Sequence, residues 1–221
     1  MADDDEIYVR DLSGLTLSEL TLEDVAYCHL SRRGWEPIKG ATVHTTLDDI
    51  ETEIRQTRGT MITARYLPLL AGFAILEQLG DNYADGSVTK HPKSGGGIER
   101  ALNYFYGYSA MSADVKALYA LRNGLVHAGS LTSTDQSTGE RYIFRYQDDL
   151  LTAIQQPIAP WDGQLSKLTS SRFTLINPRE LTEQVSRAIS KVRSLLFDDR
   201  ANRKISQSNE NYILVRHLIW R

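Results

Sequence analysis

Arg122-Asn123-Gly124-Leu125-Val126-His127 is the segment whose residue types suit chemistry at close quarters. A guanidinium meets an oxyanion with forked donors and an imidazole changes protonation near neutrality, so the two together have the parts for acid–base chemistry on an anionic substrate. On a helix ending at Ala128, at about 100° per residue, Ala117, Leu118, Leu121, Leu125 and Ala128 gather on one face. Tyr119, Arg122, Asn123 and His127 gather on the opposite one, with Val126 among them. An apolar side chain amid polar ones is best explained by a second surface that covers it. Asn123 and His127, four residues apart, lie almost in line, whereas Arg122 and His127 point about 140° apart. One helix would then not focus Arg122 and His127 on one atom, but a two-fold axis through this face would. The spacing predicts a homodimer joined through the Arg122–His127 face. A purely structural account stays open, because Arg and His in the last turns of a helix also suit its negative end and unpaired carbonyls.

The elements that must position this segment are mostly helical. Thr21 and Asp24 have capping-box spacing before a short helical pattern that ends at Arg33-Gly34. From Thr46 a second pattern begins with Asp48 and Asp49 in its first turn, and Gly59 is expected to interrupt it. Ile62, Tyr66, Leu69, Leu70, Phe73 and Leu76 form one stripe, with Pro68 starting or kinking that helix. Glu77 falls within the stripe, where a carboxylate needs a partner, and Arg122 or His127 is the candidate; the alternative is that it sits at the stripe's edge and reaches water.

From Asp85 to Gly97 turn-forming residues dominate, so the segment reads as a mobile loop. Ser112 is the expected N-cap of the helix that carries Arg122, and Gly129 its stop. Arg141–Tyr146 and Arg172–Ile176 read as two strands that pair, joined by a long loop. Asn177-Pro178-Arg179-Glu180 then opens a helix carrying Leu181, Val185, Ile189, Val192 and Leu196. The apolar tail from Tyr212 to Trp220 fits strand or helix.

A length of 221 residues, with 41% hydrophobic and 24% charged content, supports a sizeable core. The single cysteine, Cys28, excludes an internal disulfide and suits a reducing compartment. With an acidic, non-apolar start and no apolar run of about 18 residues, the chain is expected to be cytoplasmic and not membrane-bound. Its net charge of −3 means that any nucleic-acid contact must come from a local cluster of Arg and Lys. His29, His44 and His217 lack neighbours at ligand spacing, so no metal is expected, and no cofactor is called for.

An Arg, a following polar residue and a His after four intervening residues, near the end of a helix in a helical domain, resembles the HEPN superfamily. Leu121 to His127 carries the likeness. It implies a mainly α, HEPN-like helical bundle over 46–200 with a small β-hairpin insertion at about 141–176, an N-terminal extension over 1–45 and a C-terminal tail over 201–221. It also implies a metal-independent endoribonuclease of toxin–antitoxin or anti-phage defence systems, with an antitoxin or other regulatory protein as a partner. In such enzymes the ribose 2′-hydroxyl attacks the adjacent phosphate and leaves cyclic phosphate and 5′-hydroxyl ends.

Arg122 would then hold the phosphate, His127 would move the proton, and Asn123 would orient His127 or bind the phosphate. Glu77 and Tyr119 would support them. A subset of the superfamily carries, two residues after the His, a Tyr that is modified with AMP; here that position is Gly129, which argues against this control. If RNA is the substrate, Arg141, Arg145 and Arg172, with Tyr142 and Tyr146, would contact phosphates and bases, and Lys90 and Lys93 before the triple glycine would cradle a phosphate. Strand alternation and a flexible connection explain those residues as well. A non-catalytic HEPN-like module binding RNA or a nucleotide is the alternative, and a helical scaffold is the third reading.

Overall fold

The computed structural model describes residues 10–57, 65–88, 96–197, 203–205 and 216–221. Six α-helices lie within them: α1 (Leu22–Leu30), α2 (Thr46–Thr57), α3 (Tyr66–Asn82), α4 (Gly97–Tyr106), α5 (Ala113–Ala128) and α6 (Pro178–Phe197). The strands, in chain order, are β1 (Trp35–Ile38), β2 (Ala41–Thr45), β3 (Tyr83–Asp85), β4 (Thr132–Thr134), β5 (Arg141–Tyr146), β6 (Ile154–Gln155), β7 (Thr174–Ile176), β8 (Arg203–Ile205) and β9 (Leu218–Trp220). They form small sheets in the orders β1-β2-β9, β3-β8 and β4-β5-β7-β6. Helix dominates, but the architecture is mixed α/β.

Local chemistry sets the starts of α1, α5 and α6. Thr21 and Asp24 exchange hydrogen bonds across the first turn of α1, Asp24 accepting from the Thr21 amide at 2.7 Å. The Ser112 hydroxyl accepts from the Val115 amide at 3.3 Å, and the Asn177 side chain accepts from the Arg179 and Glu180 amides at 2.9 and 3.2 Å. Pro68 sits in the first turn of α3, where its missing N–H costs nothing. The expected interruption at Gly59 and the Lys90, His91 and Lys93 loop lie outside the described residues.

α3 is the central element, buried along most of its length and packed against α2, α4, α5 and α6. Gly80 permits its close approach to α4, since a methyl group there would collide with the Gly97 carbonyl. A second apolar cluster, including Leu12, Val25, Cys28, Ile38, Val43 and Leu218, lies between α1 and the β1-β2-β9 sheet. The C-terminal tail therefore contributes a strand, β9 pairing antiparallel with β2 in the register Val43–Trp220.

One pairing differs from expectation. β5 and β7 are neighbours, but they run parallel, Phe144 opposite Thr174 and Tyr146 opposite Ile176, and so are not the two arms of a hairpin. The antiparallel partner of β5 is β4, with Ile143 opposite Thr132. The long connection between β5 and β7 makes this feasible, because a parallel return needs a crossover whereas a hairpin needs a tight turn. Residues 170–172 form a 3₁₀ turn, so the strand begins at Thr174.

A buried aromatic stack ties the two halves of the chain. His29 Nε2 lies 3.2 Å from the Gln78 amide oxygen, which can only accept, so Nε2 carries the proton and Nδ1 accepts from the Tyr83 hydroxyl at 2.7 Å. The His29 ring stacks on Tyr83 and on His217. Burial, and second the repulsion a protonated His217 would exert, pulls the His29 pKa down to about 3, and burial followed by Arg216 pulls His217 down to about 4. Both imidazoles are neutral in the fold and take up protons below about pH 6.5 once unfolded. Stability is therefore full above pH 6.5 and falls as the pH drops toward 4, by up to about 1.4 kcal/mol per pH unit for each proton taken up. Denaturant titrations at pH 7 and pH 5 should show this loss, and a curve unchanged between them would contradict the neutral stack.

Candidate functional site

The site begins with how α5 ends. Gly129 takes the left-handed conformation (φ +57), its amide reaches the Leu125 carbonyl at 3.1 Å, and the Ser130 amide reaches the Gly124 carbonyl at 3.0 Å. The Tyr66 hydroxyl from α3 donates to the same Leu125 carbonyl at 2.9 Å. This closed terminus turns the chain back as β4 along α5. Gly124 is where the two meet: a Cβ there would sit 2.8 Å from the Ser130 and Thr132 carbonyl oxygens.

Arg122 and His127 converge within one chain. The long Arg122 side chain sweeps round the helix until Nη1 lies 3.4 Å from His127 Nε2 and 3.1 Å from Asn123 Oδ1. Nη2 reaches across to α3 and meets Glu77 at 3.1 Å. The expectation that one helix would hold Arg122 and His127 apart is thus corrected: backbone directions diverge, but the reach of an arginine exceeds the divergence. Because arginine only donates, the Nε2 of His127 presents its lone pair to the guanidinium, and the ring proton sits on Nδ1. Glu77 satisfies both readings of its position, pairing with Arg122 while its side chain remains 45% exposed.

These groups open onto a cleft of about 700 Å³ between α5, the β4–β5 hairpin and the segment around Trp161. Tyr119, Arg122, Asn123 and His127 line one side, and Arg141 and Trp161 the other. Val126 is 47% exposed beside His127, and Tyr119 is 39% exposed.

The remaining candidate cations divide. Arg141 lines the cleft while its Nη1 donates to the Asp162 carbonyl at 2.6 Å, its side chain lying over Gly163. Arg172 donates to the Pro160 carbonyl at 2.8 Å and approaches Asp162 at 3.7 Å, so it fastens the Trp161 segment rather than lining the cleft. Arg145 is exposed on β5 and is not among the cleft's lining residues. Lys90 and Lys93 lie outside the described residues.

Sequence reasoning missed Trp161 and β4. A tryptophan in the turn-rich run Pro160-Trp161-Asp162-Gly163 carries no strand or helix period, and its type in such a context was the available signal. Among the described residues no group of three or more His, Cys, Asp or Glu is arranged to hold a metal ion, and no helix is long and apolar enough to cross a membrane. Comparison of the chain with family models, curated proteins and solved structures found no match.

Proposed function

We propose that this chain is a metal-independent endoribonuclease that acts as a homodimer. The observation that carries the reading is the contact of one guanidinium with His127 Nε2, Asn123 and Glu77 at the edge of an open cleft. A phosphodiester oxygen entering there takes the forked donors of Arg122, and Nε2, already unprotonated, accepts the proton of the 2′-hydroxyl as that oxygen bonds to phosphorus. The bond from phosphorus to the 5′-oxygen breaks, and the 5′-oxygen leaves with a proton. The products are a 2′,3′-cyclic phosphate and a 5′-hydroxyl. Asn123 and Glu77 hold the guanidinium in place. A setting in toxin–antitoxin or anti-phage defence, with a regulatory partner protein, rests on the HEPN resemblance.

With Arg122 and His127 converging in one chain, what calls for a second copy is the leaving oxygen. Attacking and leaving oxygens lie on opposite sides of the phosphorus, so one imidazole cannot serve both. A second copy brought to the exposed Val126 face supplies another His127 to protonate the leaving oxygen. Sedimentation at micromolar concentration should give a dimer, and Val126→Glu a monomer with at least tenfold lower activity.

The test of the reading is incubation of purified protein with mixed RNA in excess chelator, comparing wild type with His127→Ala and Arg122→Ala. Both variants should lose cleavage, and wild-type products should carry cyclic phosphate ends. Cleavage untouched by either substitution overturns the assignment. Binding without cleavage, lost in Arg122→Ala, would mark a binding module instead. Glu77→Gln, which keeps size but removes the charge holding Arg122, should lower kcat/KM roughly tenfold with little change in folding, because positioned groups lose efficiency steeply when misplaced.

A further inference from the structure

The cleft is larger than a phosphate site requires. Its volume of about 700 Å³ falls in the range of whole small-molecule sites, roughly 300–1,000 Å³. Yet among its described lining residues the cations are few, Arg122 on α5 and Arg141 on β5, in a chain of net charge −3. A duplex held by its backbone needs many phosphate contacts, so this surface is poorly suited to one. Away from α5 the lining is mostly polar, from Thr132, Ser133, Thr134, Gln136 and Arg141, with one aromatic side chain, Trp161. Trp161, half-buried, is paired backbone to backbone with Arg141, and both residues line the cleft and a second cavity of about 480 Å³. That second cavity adds Glu140, Tyr142 and Gln156, polar groups of the kind that read a base edge.

The Trp161 segment is held in position, which a stacking platform needs. Arg141 donates to the Asp162 carbonyl, Arg172 to the Pro160 carbonyl, and Lys167 and Arg172 approach the Asp162 carboxylate at 3.6 and 3.7 Å. Gly163 has φ +87, and any side chain there would displace Arg141.

We propose that the cleft selects a short single-stranded stretch of RNA, with one base stacked on Trp161 and the phosphate next to the one at Arg122 held by Arg141. Arg141 and Trp161 are then specificity-determining residues and not catalytic ones. The strand enters unpaired because a base within a duplex has no free face to offer the indole. Two phosphate contacts set a shallow salt response, a slope of log K against log salt of about −1.4 for a single strand.

This inference rests on the ribonuclease reading, but its test is a binding measurement and separates from cleavage. The probe is an eight-nucleotide RNA with 2′-fluoro sugars, which lacks the attacking hydroxyl, used single-stranded and annealed to its complement. Anisotropy should show at least tenfold tighter binding of the single strand, with quenching of tryptophan fluorescence on binding. Trp161→Leu should weaken binding about tenfold, in line with alanine-scale losses for one stacked base. Trp161→Phe should keep affinity within about threefold, as an aromatic face remains, but lose the quenching. Arg141→Gln should halve the salt slope to about −0.7.

Thermal melts report whether each variant is folded; should Trp161→Leu fail to fold, Trp161→Phe and Arg141→Gln carry the test. Equal or tighter binding of the duplex, quenching that survives in Trp161→Phe, or an unchanged slope in Arg141→Gln overturns the proposal. If those signs hold while His127→Ala cleaves normally, the catalytic reading fails and the binding cleft stands. Absence of any RNA binding overturns both.

Discussion

Under chelating conditions His127→Ala is expected to reduce kcat by roughly 10²–10⁴-fold, the usual contribution of a positioned general acid or base. KM should stay within about threefold, because the imidazole acts on a proton in flight and adds little to ground-state binding. Arg122→Lys provides the contrast. The charge is kept, but a lysine offers a point charge in place of a planar fork, and Asn123, Glu77 and a phosphate cannot be met at once. Both KM and kcat should suffer, with kcat/KM down about 10²-fold, as for removal of one preorganised donor. Steady-state kinetics on a short RNA, with dichroism to verify folding, distinguishes the patterns. A His127→Ala enzyme with kcat within threefold of wild type would remove His127 from the chemistry.

Gly124→Ala is the second large effect, and its sign is the test. On a solvent-facing helix this change stabilises by about 1 kcal/mol. Here the added methyl would meet the Ser130 and Thr132 carbonyls at 2.8 Å, so β4 must move off α5. Overpacking of this kind costs about 1–3 kcal/mol, and Gly124→Val should cost more. Since β4 forms part of the cleft, its displacement should also lower kcat/KM by about 10²-fold with Arg122 and His127 both intact, a shift of about 1 Å sufficing for that. Denaturant unfolding and kinetics on the same sample decide it; a stabilised, fully active Gly124→Ala would show that the hairpin does not depend on close approach to the helix.

Sequence and structure agree where the determinant is local. Ser112, Asn177 and Thr21 cap the helices that follow them through bonds spanning two or three residues, and Gly129 ends α5 through its own backbone conformation. Arg122 or His127 could be put forward for Glu77 because a carboxylate on an apolar stripe calls for a cation on a neighbouring helix, and Arg122 is the one it meets while remaining partly exposed. What stayed hidden depends on distant chain. The direction of β7 beside β5 is set by the path of the intervening connection, which has no period to read. The placement of Trp161 depends on Arg141, Lys167 and Arg172 converging on one short segment. The Arg122–His127 divergence was an error of another kind, since an angular count along the helix locates Cβ atoms and takes no account of side-chain length.

The Glu77–Arg122 pair has a kinetic consequence. An anion arriving at this guanidinium finds a carboxylate already on Nη2 and must share or displace it. The same carboxylate can return when the anion departs, so the site carries its own competitor for a bound anion. If the site cleaves RNA as proposed, tight retention of a cleaved end would thereby be opposed from within the fold, and the arrangement would favour turnover over affinity.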